Sequence, residues 1–385
     1  MATRAPPLKG DALRTRGRCG RAGRKHPLVM ASNGPDLNGT PSVEAFCYGK
    51  QDLLLNGVEW PSRGLSRFDH ALLQGWRDRM EKGLFRYHLD ALPTRILPGT
   101  MGLVAQLNVE RGEQRRAPQE IHSLKQAFDP RRFNFAHIRP KEVLFALRQE
   151  GSAEEVLVVI NVSPLENGHV LLVPDPGREL PQILTPEALH CGLEAVLLSA
   201  QPGFRVGFNS LGAYASVNHL HLHGYYLDRE LPVETAPCQA LLPRAGLYLL
   251  QERAPAPGFL FFYCKERQLE EMAGQVAKLT SFLLEKGVAH NLFVTRGAAP
   301  NEGPLSTASR PGLRIIVWPR RACFGAKESS AFNVALCELA GHLPIKTAQD
   351  FEALTEASAL QTIRECLLSD DEFAQLQREL VALFR

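Results

Sequence analysis

The chain lacks long apolar runs, paired cysteine motifs and any large net charge, and each absence removes a class of function. Its longest apolar stretches, such as residues 156–160, fall far short of the roughly 18–20 residues that a membrane-spanning helix needs. No membrane partner is expected. The eight cysteines, Cys19, Cys47, Cys191, Cys238, Cys264, Cys323, Cys337 and Cys366, are scattered without a Cys-x-x-Cys pair, so zinc-knuckle spacing is absent. In a chain too large to need disulfide staples they are expected to stay reduced, in the cytoplasm. Charge is nearly balanced, at 44 Lys and Arg against 41 Asp and Glu over 385 residues. Residues 1–40 hold eight of the basic and two of the acidic residues, which leaves 36 basic against 39 acidic in the rest. The basic excess therefore belongs to a tail, and no nucleic-acid partner is expected.

That tail, residues 1–42, is rich in Arg, Gly and Pro and poor in acids, with no apolar run long enough for a secretory signal. It is read as a disordered extension, with weak transit-peptide character, and Met30 offers an internal start. Beyond it, hydrophobic residues at 44% and charged residues at 22% match a soluble globular protein of about two domains.

Helical spacing of Phe68, Leu72, Leu73, Trp76, Met80 and Leu84 predicts a helix within residues 59–87, followed by strands at 102–109 and 142–148. Residues 111–116 read as a charged loop. Two apolar runs, 156–162 and 169–173, flank turn residues and predict a hairpin. Residues 186–199 begin with proline and carry an apolar helical face. Strands at 204–208 and 219–226 follow, joined by the small-residue linker 209–216. A similar order returns as a strand at 259–263, a helix at 269–284 and strands at 290–295 and 313–319, which predicts an internal duplication. Helices at 332–340, 351–367 and 371–383 close the chain.

The informative segment is Ser216-Val217-Asn218-His219-Leu220-His221-Leu222-His223-Gly224. Side chains alternate in a strand, so His219, His221 and His223 share one face while Leu220 and Leu222 point into the core. Three of the chain's twelve histidines in one row are hard to explain by packing, because burying them demands several hydrogen-bond partners. Two chemistries suit the row. Alternate strand histidines can ligate zinc, although no carboxylate or cysteine follows at ligand spacing. Alternatively, neutral imidazole, with an ordinary pKa near 6.5, can attack phosphorus and form a covalent intermediate.

Asn161-Val162-Ser163-Pro164, the segment Gly168-His169-Val170-Leu171-Leu172-Val173-Pro174 and the His219-Leu220-His221-Leu222-His223 row resemble the histidine-triad superfamily of nucleotide hydrolases and transferases. With Gly207-Phe208-Asn209-Ser210-Leu211-Gly212, Ile96-Leu97-Pro98-Gly99, Ala105-Gln106-Leu107-Asn108 and Phe133-Asn134-Phe135, the likeness narrows to the GDP-hexose phosphorylase family over residues 43–385. The resemblance implies an α+β fold, with a histidine-triad-like antiparallel sheet and helices duplicated as two related halves. Residues 43–232 would be the catalytic half, and residues 233–385 a degenerate half with C-terminal helices.

The implied reaction takes GDP-D-glucose and inorganic phosphate to GDP and α-D-glucose 1-phosphate. His221 would attack the α-phosphorus to give a GMP-histidine, and phosphate would then attack that intermediate, so that two in-line displacements retain configuration. His219 would orient His221, His223 would meet the nucleotide phosphate, and His169 would support the row from the next strand. Ser216 stands three positions before the first histidine, where related transferases contact phosphate, and Asn209 and Asn218 would be further donors to phosphate or to the linker backbone. Gly224 would allow close backbone approach. No metal and no cofactor are implied, and oligomeric state is left open. Related sugar-nucleotide transferases usually carry glutamine where His223 stands, and histidine there marks the hydrolytic branch. The alternative is thus a hydrolase acting on GDP-sugars or dinucleoside polyphosphates with water. A non-catalytic nucleotide- or metal-binding protein is the third reading.

Overall fold

The computed structural model of the chain describes residues 43–62, 64–300, 308–324 and 330–385. The basic tail assigned to residues 1–42 lies outside them. Eleven strands form one sheet: β1 (Ala45–Tyr48), β2 (Val143–Gln149), β3 (Val156–Ile160), β4 (Val170–Pro174), β5 (Phe204–Asn209), β6 (Leu222–Tyr226), β7 (Cys238–Leu242), β8 (Leu247–Leu250), β9 (Gly258–Tyr263), β10 (Ala289–Gly297) and β11 (Gly312–Arg320). Their order is β1-β2-β3-β4-β6-β5-β10-β11-β9-β8-β7.

The duplication is legible in that order. From each edge inward the strands run β2-β3-β4-β6-β5 and β7-β8-β9-β11-β10, the same path traced twice. The halves join where β5 pairs antiparallel with β10, Asn209 opposite Asn291 and Val206 opposite Val294. Every pair in the sheet is antiparallel except β1 with β2, so the expected antiparallel sheet gains a parallel edge.

One helix follows the third strand of each path. The helix α1 (Arg67–Glu81) precedes both, α3 (Pro186–Leu198) follows β4 and α4 (Leu269–Glu285) follows β9. Thr185 caps α3 by accepting from the Ala188 amide, and Pro186 occupies the first turn, where its missing N–H costs nothing. Together these three helices cover one face of the sheet with a single apolar cluster that takes in Phe204, Val206, Phe208, Leu220, Leu222, Leu292 and Leu313. The other face carries a second cluster, with Tyr225, Phe293, Ile316 and Trp318 from the sheet and Leu336, Leu339 and Leu343 from the C-terminal segments. Leu220 and Leu222 thus lie under the helices, while His221 and His223 face a cavity on the opposite side.

Some sequence expectations shift. Residues 111–116 are not simply a loop: α2 (Val109–Gln114) occupies most of them, with the Asn108 side chain accepting from the Arg111 amide at its start. The strand expected at 102–109 is Val104–Leu107, paired with Thr94–Ile96 and, in parallel, His342–Ile345. The helix expected at 332–340 shrinks to α5 (Leu336–Ala340). The one expected at 351–367 splits into α6 (Ala348–Ala353) and α7 (Glu356–Glu365), because Thr355 starts a fresh cap, and α8 (Asp370–Leu383) closes the chain.

Candidate active site

The histidine row is not wholly a strand. The sheet ladder of β6 begins only at Leu222, so His219 and His221 lie in the approach to it. Their backbone is held by other means. The Leu220 amide donates to the Leu180 carbonyl at 2.9 Å. Gln182 clamps the peptide of His221: its Oε1 accepts from the His221 amide at 3.0 Å, and its Nε2 donates to the His221 carbonyl at 3.1 Å and to the Asn209 carbonyl at 3.0 Å. A buried side-chain amide thus does the work of a neighbouring strand.

Hydrogen bonds assign the protons. Nδ1 of His221 lies 2.7 Å from the His219 carbonyl, which can only accept, so Nδ1 carries the proton and Nε2 keeps a free lone pair. Burial lowers the His221 pKa to about 4, and the nearby His219 adds to this while the carbonyl bond opposes it. The ring is therefore neutral at pH 7, the form a nucleophile needs.

The Leu165 amide donates to Nδ1 of His169 at 2.8 Å, which leaves the proton of neutral His169 on Nε2, 3.1 Å from Nδ1 of His223. His223 accepts there and so presents its own N–H from Nε2. Burial first, and then neighbouring charge, holds both rings well below the ordinary histidine pKa. Gly168 sets His169 in place: its φ is +66°, and a Cβ there would meet the Tyr226 ring at 2.6 Å.

A cavity of about 340 Å³ opens on this face, a size suited to a small-molecule site. His221, His223, His169, Ser216 and Asn209 all line it. Two predicted site residues do not. His219 turns its ring between Phe128 and Phe135, its Nδ1 accepting from the Phe135 amide at 3.0 Å, because the chain has not yet entered the strand. It orients His221 through its carbonyl, not its imidazole, and burial lowers its pKa to about 4. Asn218 is a brace, with Oδ1 accepting from the Gln182 amide and Nδ2 donating to the carbonyls of Gln126 and Ala127. Oδ1 of Asn209 accepts from Asn291 Nδ2 and from the Leu336 amide, which leaves its NH2 for the cavity. Gly224 admits the Phe204 ring and Val170 on the helix-covered face, so the close approach there is core packing.

Sequence reasoning missed the rest of the wall. Part of it is apolar, with Phe133, Phe135, Ile138, Val159 and Leu171, and meets the row where the Phe135 ring lies 5.0 Å from His221. Another part is cationic, with Arg111, Arg115, Arg116 and Lys346, against the acids Glu142 and Glu338. The positive charges of Arg111 and Arg115 are felt at His223. Ser163 Oγ is buried on the wall without a hydrogen-bond partner. Among the described residues no group of three His, Cys, Asp or Glu side chains is arranged to hold a metal ion. The arrangement offers one uncharged nucleophilic nitrogen, an N–H donor beside it and a surrounding positive field, which suits attack on a phosphoryl group.

Comparison with known proteins agrees. Models described as "GDPGP1-like, N-terminal domain" and "GDPGP1-like, C-terminal domain" match residues 67–225 and 253–385. The chain is 56% identical over 378 residues to GDP-D-glucose phosphorylase 1 of Bos taurus, covering 94% of this chain and 97% of that one. It is 55% identical to the Homo sapiens protein of the same name, with 90% and 93% covered. Yeast Ap4A phosphorylase Apa2, solved with AMP, shares the fold at a TM-score of 0.54 and 14% identity, over 79% of this chain and 97% of that one. With both domain models matched and these identities, the chain belongs to the GDPGP1-like family, alongside the GDP-D-glucose phosphorylases.

Proposed function

We propose that the chain is a nucleotidyltransferase, a GDP-D-glucose phosphorylase that converts GDP-D-glucose and inorganic phosphate to GDP and α-D-glucose 1-phosphate. The observation that carries the reading is the free Nε2 of His221, fixed by the Nδ1 bond to the His219 carbonyl and kept neutral by burial. Nε2 attacks the α-phosphorus, the bond to the β-phosphate oxygen breaks, and glucose 1-phosphate leaves. The imidazolium that forms keeps its Nδ1 proton on the carbonyl. His223 donates from Nε2 to an α-phosphate oxygen, with Ser216 and the Asn209 NH2 as further donors, so charge developing on phosphorus meets oriented dipoles. A phosphate oxygen then attacks the same phosphorus, the P–N bond breaks, and its electron pair returns to His221.

The catalytic half is residues 43–232, and the half at 233–385, without histidines in β11, still supplies Glu338 and Lys346 to the wall. The seven unpaired cysteines among the described residues support a reducing, cytoplasmic setting. The test is product analysis over a panel of NDP-sugars. Consumption of GDP-glucose that requires phosphate, with GDP and glucose 1-phosphate in equal amounts, is expected. Phosphate-independent release of GMP would instead establish the hydrolytic alternative that His223 raises.

A further inference from the structure

Buried guanidinium groups in this protein are consistently bonded. Arg205 pairs with Glu234 and donates to the carbonyls of Gly203, Leu227 and Arg229. Arg296 donates to Leu54 and Leu197, Arg314 to Val233, Ala236 and Ala298, and Arg320 to Val334. Among the cations of the cavity wall, Arg111 donates to the Ser163 carbonyl and Lys346 to the Ser330 carbonyl and Asn333 Oδ1, whereas Arg116 has no hydrogen bond among the described residues and lies over the Phe133 ring.

Arg115 differs. It follows α2, is half-buried and lines the cavity, yet none of its guanidinium nitrogens has a hydrogen-bond or ion-pair partner among the described residues. Burial, reinforced by Arg111, pulls its pKa down to about 10 against the opposing charge of Glu338. Its unpaired nitrogens are not among the fully buried polar atoms, so they remain open to the cavity. Its N–H donors form a planar fork that no protein group occupies and that matches a phosphate edge.

The proposed reaction needs such a group, and the inference rests on that reading. Phosphate attacks the GMP-histidine in line, from the side that glucose 1-phosphate left, so the departing and arriving phosphate groups occupy one place. His223, Ser216 and Asn209 serve the α-phosphate, and none of them reaches the second phosphate as a cation. We propose that Arg115 anchors the phosphate that leaves with the sugar and the inorganic phosphate that replaces it, and thereby selects phosphate over water as acceptor. In the second step a phosphate oxygen held by Arg115 bonds to the α-phosphorus, the P–N bond breaks, the electron pair returns to Nε2 of His221, and the phosphate proton leaves with GDP. This reconciles the histidine at 223 with transfer. Where related transferases place glutamine, the partition between phosphate and water is set here by a cation at the neighbouring subsite.

The experiment compares the wild-type chain with Arg115→Met and Arg115→Lys. Arg115→Met is expected to raise the KM for inorganic phosphate at least tenfold and to weaken GDP binding by a similar factor. GMP, which lacks the second phosphate, should bind within twofold of wild type, which also shows that the variant is folded. In limiting phosphate the variant should release more GMP relative to GDP, and Arg115→Lys should recover part of the phosphate affinity. An unchanged phosphate KM, or equal loss of GMP and GDP affinity, overturns the assignment. A wild-type chain that forms no GMP adduct with GDP-glucose would sink the underlying reaction instead, so the two failures are separable.

Discussion

Replacing Gln182 with methionine, close in volume but without an amide, should cripple the nucleophile while leaving substrate recognition in place. The side chain makes three bonds to the backbone: one from the His221 amide, one to the His221 carbonyl and one to the Asn209 carbonyl. Gln182 is buried, and no strand partner stands in reserve at His221, since β6 starts one residue later. At about 1 kcal/mol for each net hydrogen bond, the loss should destabilise the fold by roughly 3 kcal/mol. The kinetic effect is separate. A nucleophile displaced by about 1 Å can cost on the order of 100-fold in rate, so single-turnover formation of the GMP-enzyme should slow by about that factor. GMP affinity should change little, because Ser216 and His223 are anchored elsewhere. Rapid-quench kinetics with GDP-glucose, beside urea unfolding, reads both quantities. If the variant loses stability but forms the adduct within threefold of the wild-type rate, Gln182 is a packing residue and the positioning argument fails.

Acid should inhibit the first step later than free histidine would suggest. His221 must be neutral to attack and its pKa is lowered to about 4, so adduct formation should stay flat from pH 8 to about 5.5; an acid limb near 6.5 would contradict the burial argument. The same groups link pH to stability. His169, His219, His221 and His223 all have depressed values in the folded state, so the unfolded chain binds protons first as pH falls below about 6.5. Stability should then drop from about 6.5 toward 4, by up to about 1.4 kcal/mol per pH unit for each such histidine, and a denaturation midpoint flat across that window would refute it. His219→Asn should cost stability through its two phenylalanine neighbours but less than tenfold in adduct formation, since its carbonyl is the orienting group; complete loss of the adduct would show that the ring itself acts. Glu234→Ala should destabilise by about 3–5 kcal/mol by stranding buried Arg205, and an unchanged urea midpoint would show the pair to be dispensable.

The period-two histidines and the Gly-His step were legible because strand alternation is a local rule, which places His221 and His223 on the cavity but loses its hold at His219, before the ladder begins. The duplicated path was legible for a related reason: strand, helix and strand recur at similar lengths in both halves. Other features depend on the fold. Gln182 lies 39 residues before His221, in a segment whose local pattern announces nothing, and only the sheet brings the two together. Arg115 sits in a stretch that reads as a charged loop, and its significance lies in the cavity wall it shares with Glu338 and Lys346, more than 220 residues away in sequence. Asn218 read equally as a donor to phosphate or to backbone, and the partners of its three side-chain bonds, the Gln182 amide and the carbonyls of Gln126 and Ala127, are brought to it only by the fold.

The central claim is that His221 carries the nucleotide. Protein incubated with GDP-glucose in the absence of phosphate, then weighed intact and mapped by peptide, should gain one GMP moiety on the peptide containing His221. Added phosphate should release it as GDP, and His221→Asn should remain unmodified. An adduct elsewhere, or normal turnover by His221→Asn, would contradict the account.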